Sequence, residues 1–266
     1  MSFADTYLVT DKLATYSEAE VDAAEAQLGV HFPVGYKDFV TKLGKGEYCG
    51  FVWMYGPAEI VADRASRRAE LTEYAHLWED GFDVLGEDRL RECIVIGASI
   101  DADLIVFHPD APDALYELPR HDSTIYHIGT SAEEAMAWYR RERLKIGLNY
   151  FDSRIDRQGE ALPVYLNLSL NEFRDWLRAL GGYDHLDEKL NTNPGVSLST
   201  YLLLKGNLSR VAAELSEVTA FYKSFSGYVS ASRDGIGRVS AQVAYDVDKG
   251  NDTVRQVVEY LRSKAA

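Results

Sequence analysis

The chain has 266 residues, 46% of them hydrophobic and 26% charged, and its 28 Lys and Arg against 42 Asp and Glu give a formal charge of -14. This balance disfavours direct binding to nucleic-acid phosphates or to an anionic membrane surface, which both need concentrated positive charge. No run approaches the roughly 18 apolar residues of a membrane span, and Met1 to Leu13 has neither a basic start nor an apolar stretch, which predicts a cytoplasmic protein.

In chain order, Ser17 to Leu28 reads as a helix, with Ser17 and Glu20 in capping-box spacing and Gly29 as the stop. Pro33 sits near the start of a second helix, whose Tyr36, Phe39, Val40 and Leu43 recur at helical spacing up to Gly44. Gly46 to Gly50 reads as a loop and Phe51 to Tyr55 as a strand, while Arg64 to Trp78 has a helical apolar period. Four strand candidates come next, at 94–96, 104–107, 115–118 and 124–128, separated by Gly, Pro and Asp clusters that suit an antiparallel meander. Ser131 with Glu134 caps a helix reaching about Arg143.

Residues 147–160 lack a sustained period and place a domain boundary, giving domains 1–146 and 147–266. The second domain opens with a strand at 162–168 and a helix capped by Ser169 and Glu172, with Phe173, Trp176, Leu177 and Leu180 as its apolar stripe. Gly182 to Gly195 reads as a surface loop. Leu208, Val211, Leu215, Val218 and Phe221-Tyr222 suggest a further helix, and the state of Tyr201 to Leu204 stays open. Residues 228–232 and 238–247 flank Asp234-Gly235-Ile236-Gly237 as a hairpin, and Val254, Val257, Val258 and Leu261 mark a final helix.

Charge divides unevenly, since residues 1–146 hold 27 acidic and 14 basic side chains and residues 147–266 hold 15 and 14. As a property of a whole domain, this suggests a basic partner. The candidate contact residues are Glu70, Glu73, Trp78, Glu79, Asp80, Asp83, Glu87 and Asp88, interleaved with Tyr74 and Phe82, and further along Asp101 and Asp103. Asp101 and Asp103 with His108 also have the residue types of a Mg2+ site, against which stands the absence of a third ligand in the sequence and the plainer reading of a solvated turn. Cys49 and Cys93 lie 44 positions apart in unlike contexts, and the six His have no paired metal-ligand spacing, so no metal and no cofactor are expected. The basic run Arg140-Arg141-Glu142-Arg143-Leu144-Lys145 reads as complementing a helix C-terminus.

The opening from Ser17 to Phe39 resembles that of SUKH superfamily (SMI1/KNR4-like) domains. The shared features are Ala24-Glu25, the Leu28-Gly29 stop, Pro33 and Tyr36-Lys37-Asp38-Phe39. The segments Leu43 to Phe51, Tyr55-Gly56-Pro57, Ile94 to Gly97 and Asp103-Leu104-Ile105 are similar to the loop and central strands of that family. The sequence departs from the pattern in a loop without the common Asn-Gly-Gly form and in Ala102, where a Gly often precedes the Asp. The resemblance covers about residues 10–145 and does not extend to the second half.

It implies an α+β fold with a mainly antiparallel sheet flanked by helices, here succeeded by a second, smaller α+β domain. It also implies a non-catalytic binding domain of the kind used in bacterial immunity proteins, which neutralise a toxin, often a nuclease or deaminase, by stoichiometric occlusion. The alternative is a regulatory or scaffold protein that recruits a cellular partner. A divalent-metal hydrolase built on Asp101, Asp103 and His108 is the enzyme reading weighed against both.

Overall fold

The Ser17 hydroxyl accepts the Glu20 amide while the Glu20 carboxylate accepts the Ser17 amide at 2.7 Å, and this reciprocal cap starts α1, Glu18–Leu28. Gly29 ends it at φ 69, a left-handed turn that costs glycine no Cβ clash. The computed structural model describes residues 3–155, 157–191, 214–233, 238–250 and 252–265. It divides into two compact units, Met1–Leu8 with Lys12–Ile155 and Val9–Asp11 with Asp156–Ala266.

The first unit contains β1 (Tyr7–Leu8), α1, α2 (Tyr36–Lys42), β2 (Glu47–Tyr48), β3 (Val52–Met54), α3 (Pro57–Tyr74), α4 (Glu87–Glu92), β4 (Ile94–Ser99), β5 (Leu104–His108), β6 (Ala111–Leu118), β7 (Tyr126–Gly129), α5 (Ala132–Trp138) and β8 (Tyr150–Asp152). Its eight-stranded sheet runs β1-β8-β2-β3-β4-β5-β6-β7, and every pairing except parallel β1 with β8 is antiparallel. The expected meander is β4 to β7. Helix α3 begins earlier than the apolar period suggests, because Pro57 presets the first helical turn and the Glu59 carboxylate accepts the Gly56 amide at 2.8 Å.

Strand β4 is buried along its whole length, and alternation on β5 explains how. Ile105 and Phe107 pack with Val21, Phe39 and Met136 of α1, α2 and α5, whereas Leu104 and Val106 pack with Leu71, Trp78 and Leu90 on the α3 and α4 side. The sheet is therefore covered on both faces, and each large side chain so buried contributes about 1.5–3 kcal/mol. The unit also extends past residue 146, the expected boundary. Phe151 is fully buried, and Tyr150 and Phe151 pair with Tyr7 and Leu8 on one side while Phe151 pairs with Tyr48 on the other. In the loop after β2, Cys49 and Gly50 are successively left-handed at φ 53 and 62, so this loop makes the turn with a single glycine of the two.

The second unit contains β9 (Arg157–Leu166), α6 (Leu170–Leu180), β10 (His185–Asn191), β11 (Glu214–Tyr222), β12 (Gly227–Arg233), β13 (Val239–Asp246) and α7 (Asp252–Ser263). Its antiparallel five-stranded sheet has the order β10-β11-β12-β13-β9. One face, with Val218, Ala220, Val229, Ala231 and Val243, carries Phe173 and Leu177 of α6 and Val257 and Leu261 of α7. Trp176 stacks on Tyr260 at 3.8 Å between ring centroids, joining the two helices.

Two expectations are corrected here. Residues 214–222 form a strand rather than the end of a helix, because Val218, Ala220 and Tyr222 alternate into the core with period two, and the helical spacing of Leu215, Val218 and Tyr222 is coincidental. Likewise, 185–191 is not loop but the edge strand that pairs with β11. Leu208, Val211, Tyr201 to Leu204 and the Asp234 to Gly237 turn lie outside the described residues, although the strands flanking that turn pair as a hairpin would require.

Candidate docking surface

Helix α3 gives way to a 3-10 segment at Ala75–Gly81, in which Trp78 departs from helical geometry at φ -113 and ψ 30. Trp78 is 5% exposed, and its indole N–H donates to the Pro119 carbonyl at 2.7 Å. It is therefore a core anchor rather than a contact residue, and its burial turns its neighbours outwards. Gly81 fits because a Cβ there would lie 2.3 Å from the Ile125 backbone. The apolar groups that do reach solvent are Tyr74, Leu77 and Val84, at 42%, 48% and 41% exposure.

Around them stand exposed carboxylates. Glu73, Glu79 and Asp83 have no basic partner among the described residues. The charge of Glu73 raises the pKa of the adjacent Tyr74 phenol. Asp80 accepts from the Ser123 hydroxyl. Glu70 is paired with Arg67 at 2.7 Å, and Arg91 holds both Glu87 and, at 3.5 Å, Asp88. The segment thus presents exposed apolar side chains among carboxylates, of which Glu73, Glu79 and Asp83 have no basic partner among the described residues.

Asp101 and Asp103 do not form a shared site. Asp101 is exposed in a turn, whereas Asp103 is 2% exposed and accepts from the Ser99 hydroxyl at 2.8 Å, the Arg120 amide at 2.9 Å and Arg143 at 3.3 Å. Between them Ala102 holds φ 65, a left-handed conformation that explains why glycine suits this position. His108 is buried, and its Nδ1 accepts the Asp110 amide. Among the described residues no three His, Cys, Asp or Glu side chains are grouped to hold a metal ion. Cys49 and Cys93 are buried thiols outside any disulfide, and burial pushes the Cys93 pKa up to about 12, far from thiolate reactivity at neutral pH.

Sequence reading did not identify the partner of Asp103. The helix of α5 continues as a π turn through Tyr139–Leu144, whose wider winding lets Arg143 reach Glu117 at 2.6 Å as well as Asp103. Glu117 is fully buried on β6, and burial outweighs Arg143 and raises its pKa to about 7. Its position opposite Ile105, on the apolar face of a strand, is the signal available in the sequence: a charge where the period demands a hydrophobe. Nor does the basic run simply complement a helix end. Arg140 donates to the Gly147 carbonyl at 2.8 Å, and Arg143 answers the two buried carboxylates.

No helix among the described residues is long and apolar enough to cross a membrane. Comparison with curated proteins and with solved structures gives no match. Residues 15–138 match the model of the SMI1 / KNR4 family (SUKH-1), a span from just before α1 to the end of α5. With that match over the helices and the central meander, the first unit of this chain is a SUKH-1 domain, and the chain is a two-unit α+β protein that carries it.

Proposed function

We propose that this chain is a bacterial immunity protein whose SUKH-1 unit binds a basic toxin domain and neutralises it by covering its working surface. The observation that carries the reading is the exposed Tyr74, Leu77 and Val84 set among Glu73, Glu79 and Asp83, on a unit that concentrates the negative charge of the chain. Apolar contacts of this kind supply desolvated area, and a one-signed acidic rim accelerates encounter with a basic protein by roughly 10- to 1000-fold at low salt. A nuclease or nucleic-acid deaminase, built to track phosphates, has the matching positive surface. The role is stoichiometric and non-catalytic, and the family match together with the buried Cys93 thiol, held far above the thiolate range, supports it.

Affinity purification of the tagged full chain from its native bacterium, at low and moderate salt, tests the proposal. The expected result is one basic protein, depleted as salt rises and lost when Glu79, Asp80, Asp83, Glu87 and Asp88 are reversed to Lys. Capture that ignores both salt and charge reversal would remove the acidic surface from the reading. Recovery of an ordinary cellular complex would make the protein a recruiting module instead.

A further inference from the structure

The first unit also holds a cleft of about 300 Å³ at the other end of α3, bounded by β2, β3 and the residues just after β8. Its volume is at the small end of ligand pockets and matches one long side chain rather than a cofactor. Trp53 and Tyr55 form partly buried aromatic walls, and Tyr55 already holds the Arg67 guanidinium at 5.6 Å from its ring centroid. Such walls suit the alkyl stem and the charge of a cation alike.

The charges of the cleft are incompletely matched. Arg154 lies 2.7 Å from a Glu47 oxygen that is closed to water, yet that oxygen receives no hydrogen bond of proper geometry. Burial raises the pKa of Glu47 in spite of Arg154, and the charge of Asp152, 3% exposed, raises it further. Glu59, at the rim, faces the Lys45 ammonium only at 3.8 Å, and Lys45 is 72% exposed, so that pair is easily exchanged. The cleft is thus lined by two carboxylates, Glu47 and Glu59, and two cations, Arg154 and Lys45, of which the Lys45 pair is the loosely held one.

We propose that this cleft receives a single Arg or Lys side chain of the protein partner, with its stem against Trp53 and Tyr55 and its charge between Glu47 and Glu59. The proposal deepens the docking reading, on which it rests for the partner that bears the side chain.

The test is a titration of the full chain labelled with 5-fluorotryptophan, in which the Trp53 line is assigned by Trp53→Phe. The probe is Nα-acetyl-L-arginine amide, compared with the leucine and glutamine amides. The Trp53 line is expected to move with the arginine amide at several-fold lower concentration than with either comparison compound. Glu59→Gln, which keeps an oxygen to accept the Gly56 amide, should weaken the arginine response about two- to fivefold. Arg154→Ala should strengthen it by a similar factor, a direction that loss of structure does not produce.

Equal responses to the arginine and leucine amides, or a weaker response in Arg154→Ala, would overturn the proposal. If it fails while toxin capture stays sensitive to salt and to charge reversal, the docking reading stands alone. If it succeeds while capture ignores both, the acidic surface falls and the cleft remains.

Discussion

Glu79 and Asp83 lie in solvent after α3 with no basic partner among the described residues, whereas Asp103 and Glu117 are 2% and 0% exposed and share a single guanidinium, that of Arg143. The residue types are the same and the physical situations are opposite. An exposed carboxylate is stabilised by water, contributes little to folding, and acts at a distance on other molecules. A buried one must be matched by donors, and Asp103 has them while Glu117 has one strong partner only. Counting acids along a chain measures the first effect and misses the second, because burial is decided by which way a strand alternates.

Trp78→Ala draws the sharpest line between surface and core in this segment. A loss of about 3–5 kcal/mol in denaturant unfolding is expected, from cavity formation and the unpaired Pro119 carbonyl. A variant of unchanged stability would return Trp78 to the docking surface.

Glu117→Gln tests the buried side of the comparison. Its carboxyl has a folded value of about 7 against 4.5 when unperturbed, so the native state is favoured fully below pH 4.5 and loses that contribution as pH rises through 7. The displacement corresponds to roughly 3 kcal/mol at most. Relative to wild type, the Gln variant should therefore gain stability between pH 5 and 8, and its own unfolding free energy should depend less on pH across that interval. Parallel pH profiles for the two proteins would mean that Glu117 is not desolvated as described.

Ala102→Gly separates Asp101 from Asp103 in energetic terms. Relief of the left-handed strain, about 1–2 kcal/mol, is partly offset by the greater freedom of Gly in the unfolded chain, for a net gain of up to about 1 kcal/mol in thermal or denaturant unfolding. A loss would show that the turn is held without strain. The smallest effect on stability belongs to the exposed side, where Glu79→Lys and Asp83→Lys should each change unfolding by no more than about 0.5 kcal/mol while lowering the association rate with a basic partner. Stopped-flow binding at two salt concentrations reads the second half of that expectation.

Where local chemistry decides structure, the sequence was readable. The Ser17, Ser131 and Ser169 caps, the Gly29 stop and the alternating Val239, Ala241 and Val243 all correspond to observed helix ends and inward strand positions. Where distant pairing decides, it was not. Strands β1 and β8 are two and three residues long and are set by pairing with strands distant in sequence, β1 with β8 and β8 with both β1 and β2, so no period could announce them. β11 shows the ambiguity of a short apolar run, in which i, i+3 and i+4 matches arise inside an alternating strand. At the docking surface the acidic residues were legible, but the choice of aromatic was not. Trp78 and Tyr74 differ in burial through a break in helix geometry that composition does not encode.

The pairing of β1 with β8 also sets an order of events during synthesis. Tyr7 and Tyr150 are 143 positions apart, so the first strand made waits for almost the last residues of its unit before it has a partner. Until Asp152 has left the ribosome, the outer edge of β2 is unpaired, and such an edge is open to another chain. The family match at 15–138 contains neither strand, so a fragment cut to those limits would carry that open edge permanently. A fragment intended to behave like the native unit should therefore keep both its first strand and the residues through Asp152.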